Sequence, residues 1–312
     1  MSFRKFYFAL TSILLVFLFA TGVVMLNYLK TYSADEASSS LDDDESENEN
    51  ILKPFVPDNE PFNVLVLIGD KSEANTDTMI LVNYNPATSE ANVMSIPRDT
   101  KIVLDTGSAV KINSLYAKRG GSNLLMNHLS NIMGIEIKHY VYLNIETFRE
   151  IIDLLGGVWI EVPVDLDYDD PLQDLHIHIK KGKHLMDGKM AEEYLRFRHP
   201  NNGYTEEMLK YYDGSDLKRI EAQQNFIKEL IKQKMNIIYL PKLNEIIDTV
   251  FDNLETNVTL SQVFKLVKTV NNFSLEKVKF FTLPGSSMDY SPYYYLYNEE
   301  EIKKMVEENF FK

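Results

Sequence analysis

The sequence predicts an α/β layered domain carried outside a membrane on one N-terminal helix. Three observations lead there. Strand-type and helix-type patterns alternate after residue 61, an uncharged apolar run sits near the N-terminus, and an acidic block separates the two. The run covers residues 6–29, 24 residues without a charge. At about 1.5 Å per residue it reaches about 36 Å, enough to cross a hydrocarbon core of about 30 Å with some tilt. A cleaved signal peptide would have an apolar stretch of about 7–15 residues followed by a small-x-small site. This run is longer and no such site follows it. Arg4 and Lys5 precede it, and only Lys30 follows before the acids. The positive-inside rule therefore places residues 1–5 in the cytoplasm and the chain beyond residue 29 outside the cell membrane. Residues 30–60 read as a disordered linker. Between 34 and 50 there are eight acids and no base, and such a segment repels itself and buries too little apolar surface to fold.

Residues 61–312 form the expected domain. Residues 62–68 (FNVLVLI) are a short apolar run of buried-strand type, and 78–82 (TMILV) and 92–96 (NVMSI) follow, each bounded by turn residues. A helix is expected over 122–133, with Ser122 as N-cap and Gly134 as its stop. Residues 139–145 (HYVYLNI) alternate as a strand, 146–155 form an amphipathic helix closed by Gly156 and Gly157, and 158–162 is a strand. Residues 175–179 alternate again, 187–197 are helical, and a longer helix over 215–234 starts at Ser215. Further helices are expected at 242–254, 261–271 and 299–309, with a strand at 278–282. Strands alternating with helices argue for layers of helix on sheet.

Composition removes several functions. The 312 residues hold no cysteine, which excludes disulfides, cysteine nucleophiles, thiolate zinc sites and iron–sulfur clusters. The formal net charge of −14 disfavours general nucleic-acid binding while leaving room for a local basic pocket. P-loop, GxGxxG, HExxH and GxSxG motifs are absent from the sequence.

Chemistry is expected where charged groups meet the ends of buried elements. Asp70 follows the first strand, Asp77 precedes the second, and Arg98 and Asp99 follow the third across Pro97. Asp216, Arg219 and Gln223 are spaced i, i+3, i+7 and fall on one face of a helix. Arg196 and Arg198 share a side only if the helix ends between them and the chain extends, which Pro200 favours. Guanidinium forks match phosphate oxygens, and carboxylates can hold the arginines or bind Mg²⁺. A surface salt-bridge lattice is the competing reading. The segment Asp165, Asp167, Asp169, Asp170 fails as an EF-hand loop, since Asp170 and His176 stand where Gly and Glu are required. His176 and His178 share one strand face, but zinc needs more ligands than these two supply, so the face is read as merely exposed.

Taken together, NVLVLIGD, NTDTMILVNYNP, SIPRDT, KINSLYAKRGG, the DLLGGV stretch, MDGK, YLRFRH and SDLKRIEAQQ resemble the LytR-CpsA-Psr family of bacterial cell-wall ligases, over residues 62–230. The resemblance implies a three-layer α/β/α sandwich around a mixed sheet, with a pocket for a polyprenyl tail. It implies a phosphotransferase that moves an anionic glycopolymer (teichoic acid, capsule or related polysaccharide) from an undecaprenyl-pyrophosphate carrier to peptidoglycan through a phosphodiester. It further implies that Arg98, Arg196, Arg198 and Arg219 grip the pyrophosphate. Gln223 would orient a phosphate oxygen or an arginine, and Asp216 would orient the arginines. Asp77 would hold Mg²⁺ (or Mn²⁺), with Asp70 close by. Asn75 stands where the family often has an arginine, and Lys118 and Arg119 offer substitute positive charge. The 199–214 insert reads as a lid or an acceptor-binding loop. Two alternatives are a pyrophosphatase acting on the lipid carrier and a non-catalytic, membrane-anchored envelope regulator.

Overall fold

In β1 (Phe62–Asp70) successive side chains leave on opposite sides. Val64, Val66 and Ile68 join one apolar cluster, and Leu65 and Leu67 join another. That alternation decides the architecture, because each face then needs its own cover. The computed structural model describes residues 61–70, 75–118, 120–171, 175–234, 254–258 and 275–310, without the side chains of Asp70, Asn75 and Asp77. The chain continues through β2 (Asn75–Asn85), β3 (Glu90–Ser95), β4 (Lys101–Val103), β5 (Ala109–Lys111), α1 (Gly121–Met133), β6 (His139–Asn144) and α2 (Ile145–Leu154). Then come β7 (Val158–Val162), β8 (Leu166–Asp170), β9 (Leu175–Ile179), β10 (Gly182–Met186), α3 (Gly188–Arg196) and α4 (Asp216–Lys234). Last are β11 (Leu254–Thr256), β12 (Val278–Thr282), β13 (Gly285–Ser287), β14 (Tyr295–Tyr297) and α5 (Glu299–Asn309).

Six strands form one sheet in the order β11-β6-β1-β2-β3-β12. It is mixed: β1 pairs parallel with β6 and antiparallel with β2, and β3 pairs antiparallel with β2 and parallel with β12. One face is covered by α2, α3 and α4 through Phe148, Ile151, Tyr194, Phe226 and Leu230. The other is covered by α1 and α5 through Leu125, Leu129, Met133, Ile302 and Val306. The result is the expected α/β/α sandwich.

Local chemistry sets the joints that matter for the site. Gly156 and Gly157 both have φ +74°, so the chain reverses sharply between α2 and β7. A Cβ on Gly188 would sit 2.2 Å from the Arg149 carbonyl oxygen, so only glycine lets α3 close onto α2. Asp187 caps α3 by accepting from the Met190 amide at 2.8 Å. Gln224 of α4 donates to the Phe281 carbonyl at 2.9 Å and to Ser95 at 3.1 Å, fastening that helix to β3 and β12.

Several sequence expectations need correction. The N-cap of α1 is Gly120 in a left-handed conformation, with no side-chain cap from Ser122. Ile145 belongs to α2 and not to the preceding strand, because Asn144 caps the helix by accepting from the Thr147 amide. Leu254 opens a strand instead of closing a helix. The rest of the helices expected at 242–254 and 261–271 lie outside the described residues, as do residues 1–60 with the apolar run and the linker. Among the described residues no helix is long and apolar enough to cross a membrane.

Candidate functional site

The site lies where α3 and α4 meet the ends of β1, β2 and β3. Strand β3 ends at Ser95, and Arg98 follows three residues later. Its backbone amide donates to Asp216 Oδ2 at 3.2 Å, and its Nε lies 3.9 Å from Asp216 Oδ1. Asp216 opens α4 and is buried. One turn on, the buried Arg219 donates from Nη2 to the same Asp216 Oδ1. A single carboxylate thus holds two arginines from different elements: the i, i+3 spacing put Asp216 and Arg219 on one face, and the family resemblance implied that Asp216 orients the arginines.

Arg196 and Arg198 arrive by the expected route. Helix α3 ends at Arg196, and Phe197 turns extended with φ −60° and ψ 132°. Phe197 is fully buried, edge-on to Tyr212, so the two arginines flank a fixed anchor. Arg98, Arg196, Arg198 and Arg219 line one small cavity with Tyr168, Leu175 and His199. Among the described residues that lining carries four guanidinium groups and no carboxylate.

Sequence reasoning missed Glu192. This residue is 2% exposed and accepts from Arg196 at 3.0 Å one turn below it on α3. It also pairs with Arg149 of α2, whose pKa is raised chiefly by that hydrogen bond. The i, i+4 spacing of Glu192 and Arg196 was the available signal. Tyr168 and His199 were missed because nothing in the spacing brings them together; their rings meet edge-on at 4.9 Å.

A second cavity adjoins the first. Its wall is apolar: Val66, Ile68, Ile80, Leu143, Phe148, Ile151, Ile152, Leu195, Phe226, Ile227 and Leu230. Gly69, Thr78, Ile145, Glu192, Arg196, Arg219 and Gln223 also line it, so two arginines belong to both cavities. Gln223 donates to Thr78 Oγ1 at 3.2 Å, which ties α4 to β2 at that junction.

The remaining expected residues divide. Asp77 is the extra residue of a bulge: Ile68 pairs with Thr78 and Gly69 with Thr76, leaving Asp77 without a register partner. Bulges commonly re-aim a side chain next to a site. Where the Asp77 and Asp70 carboxylates point lies outside the described residues, as does Arg119. Lys118 is exposed and lines neither cavity. Asp99 pairs with Lys111 at 2.8 Å and does not line the arginine cavity. The 199–214 insert is anchored, with Met208 and Tyr212 buried and Arg198 Nε donating to the Gly214 carbonyl.

An apolar cavity that opens onto a guanidinium cluster suits an amphiphile with an anionic head. The chain belongs to the LytR_cpsA_psr family, whose model matches residues 23–310. It is similar to the polyisoprenyl-teichoic acid–peptidoglycan teichoic acid transferase TagV of Bacillus subtilis (strain 168), 28% identical over 96% of this chain and 78% of that protein. The crystal structure of B. subtilis TagV superposes with a TM-score of 0.63 at 26% identity, over 80% of this chain and 97% of that one. The fold is also that of TagT bound to LI-WTA, with a TM-score of 0.59 at 24% identity over 86% of this chain and 97% of that one.

Proposed function

We propose that this protein transfers an anionic glycopolymer from an undecaprenyl-pyrophosphate carrier to a peptidoglycan hydroxyl. The observation that carries the reading is the sharing of Arg196 and Arg219 between an apolar cavity and a four-arginine cavity. The first suits a polyprenyl tail and the second its pyrophosphate. Similarity to TagV supports the same chemistry.

The reaction needs no covalent intermediate on the protein. The acceptor oxygen attacks the phosphorus that bears the glycopolymer. The bridging P–O bond breaks, undecaprenyl monophosphate departs, and the hydroxyl proton passes to solvent or a nearby base. Arg98, Arg196, Arg198 and Arg219 hold the phosphate oxygens and meet the charge that builds on the leaving phosphate. Asp216 and Glu192 keep three of those guanidinium groups fixed beforehand, so little reorganisation is left to the reacting state. Gln223 fixes the junction of the two cavities through Thr78.

A divalent cation fits the donor chemistry here. Asp77 stands in the β1–β2 bulge next to Thr78, which lines the apolar cavity, and Asp70 follows on the paired strand opposite Asn75. Oxygen-only donors beside a phosphate site favour Mg²⁺ or Mn²⁺. Asp77, with Asp70, would hold the ion, and it would supply charge neutralisation on the pyrophosphate. Residues 6–29 anchor the protein in the cell membrane with the domain outside. Protease added to intact protoplasts degrades the domain if that orientation holds, and full protection by a sealed membrane overturns it.

The deciding experiment supplies the membrane-reconstituted chain with a lipid-linked glycopolymer and peptidoglycan, then analyses products. Polymer joined to the wall supports the transferase. Polymer phosphate released into water identifies a pyrophosphatase, and unchanged carrier identifies a binder without activity. EDTA and Asp77→Ala should each abolish transfer; undiminished activity in chelator removes the metal from the mechanism.

A further inference from the structure

We propose a divalent transition-metal site on the outer face of the β8–β9 ribbon, built from Asp167, Asp169 and His178 and separate from the arginine cavity. Each strand alone lacks enough donors on its outer face: β8 offers the carboxylates of Asp167 and Asp169, and β9 the imidazoles of His176 and His178. The antiparallel register supplies the rest, pairing Asp167 with His178 and Asp169 with His176. All four side chains project outward, while Leu166, Leu175, Ile177 and Ile179 are buried beneath them.

The donor atoms converge. One from each of Asp167, Asp169 and His178 lies within 4.8 Å of the other two. His178 Nδ1 is 2.7 Å from Asp167 Oδ1, and its Nε2 is 3.4 Å from Asp169 Oδ1. An imidazole binds an ion through one nitrogen. Bound through Nε2, His178 would stand one coordination edge from Asp169 Oδ1, since ligands about 2.0–2.1 Å from a tetrahedral ion stand about 3.3 Å apart, and Asp167 would turn from Nδ1 to bring a carboxylate oxygen to the ion. Asp169 is held from three directions. His176 Nδ1 lies 2.5 Å from its Oδ1, Asn201 Oδ1 accepts from its amide at 2.5 Å, and Asn201 Nδ2 donates to its carbonyl at 3.1 Å. His176 therefore serves as the outer partner that orients the ligating carboxylate.

The donor set selects the ion. One imidazole with two carboxylates suits Zn²⁺ and its late first-row neighbours, whereas Mg²⁺ prefers oxygen alone and keeps its water. Ligands from both strands would pin the ribbon's register. The same ribbon supplies Tyr168 and Leu175 to the arginine cavity, and Asn201 sits three residues after Arg198. The ion would thus stiffen one wall of that cavity without touching it.

The test uses the full-length chain in detergent, stripped of metal by chelator and titrated calorimetrically with Zn²⁺. We expect one zinc per chain, unmoved by a large excess of Mg²⁺. His178→Ala and Asp169→Asn should each weaken uptake at least about a hundredfold, and His176→Ala about tenfold, the usual cost of losing an outer partner. The side chains are about half exposed, 58% for His178 and 45% for Asp169, so each variant should melt like the parent without metal. Zinc should raise the melting temperature of the parent and leave that of His178→Ala unchanged. No stoichiometric uptake, or uptake by His178→Ala and Asp169→Asn within about tenfold of the parent, overturns the site. Zinc held by the acidic 30–60 segment or by Asp77 would survive both substitutions and would count as that negative result.

Discussion

On one face of the central sheet, Leu65, Leu67, Leu81 and Met94 meet Leu125, Leu129 and Ile302 in a closed apolar layer. On the other, Val66, Ile68 and Ile80 look across a cavity at Phe148, Ile151 and Phe226. The strands are shared, so the difference comes from the helices. Helices α1 and α5 lie directly on the sheet, and among the described residues neither carries a buried charged side chain there. The buried polar groups on that side are uncharged, Asn92 donating to Asn83 Oδ1 at 3.1 Å and to the Asn309 carbonyl of α5 at 2.7 Å. Helices α3 and α4 carry Glu192, Asp216, Arg219 and Gln223 into the interior. The first face holds the fold together by close packing. The second forgoes part of that packing to keep a hollow with a charged end. Carboxylates fix the charges there, because a buried guanidinium without a partner is costly.

The largest expected effect belongs to the closed face. Leu129 is completely buried in α1. Leu129→Ala should lower unfolding free energy by about 2–5 kcal/mol, through lost transfer energy and the cavity left behind. Transfer per folded molecule should stay normal. Denaturant melts and activity normalised to folded protein check both. An activity loss larger than the loss of folded protein would mean that the two faces are not separable.

The site face should show the reverse pattern. Arg98→Lys, Arg198→Lys and Arg219→Lys keep the charge and lose the fork. Each should cut transfer at least about tenfold, since charge-assisted hydrogen bonds are worth roughly 1.5–3 kcal/mol and about 1.4 kcal/mol is a decade in rate. For the partly exposed Arg98 and Arg198 stability should move by less than about 1 kcal/mol, because Asp216 and the Gly214 carbonyl still find a cationic donor. The buried Arg219–Asp216 pair should lose more. A surface lattice would give near-normal turnover, and that result would dismiss the arginine cavity as a phosphate site.

How much of this was legible in the sequence follows the range of the interactions. The buried strand at 62–68, the shared face of Asp216, Arg219 and Gln223, and the break after Arg196 are local patterns, and they were read correctly. Asp216 as the holder of the arginines came from the family resemblance, and its contacts agree. Glu192 was within reach through its i, i+4 spacing to Arg196, but an acid on an amphipathic helix looks like solvent-facing charge until its burial is seen. The convergence of Asp167, Asp169 and His178 was hidden for another reason. It depends on the register of two strands, and a slip of one residue would send every one of those side chains to the other face. The apolar cavity was expected only through the family resemblance, since its lining residues by themselves read as ordinary core.

Two helix caps give the smallest and sharpest form of the comparison. Asp187 begins α3 on the site face, accepting from the Met190 amide at 2.8 Å. Asn298 begins α5 on the closed face, accepting from the Glu300 and Glu301 amides at 3.1 and 3.2 Å. Each satisfies amides that the first helical turn leaves without partners, and each is worth about 1 kcal/mol against alanine. Asp187→Ala and Asn298→Ala should therefore cost similar stability, and thermal melts should place them close together. Their effects on transfer should differ. Helix α3 carries both Glu192 and Arg196, so fraying its first turn loosens Arg196 and the carboxylate that holds it. Helix α5 carries nothing that lines either cavity. With about 1 kcal/mol distributed over a helix, the drop in transfer for Asp187→Ala should be a few-fold, against none for Asn298→Ala at equal folded concentration. Equal activity in the two variants would show that α3 positions its arginine through packing at Gly188 and Phe197 and not through its cap.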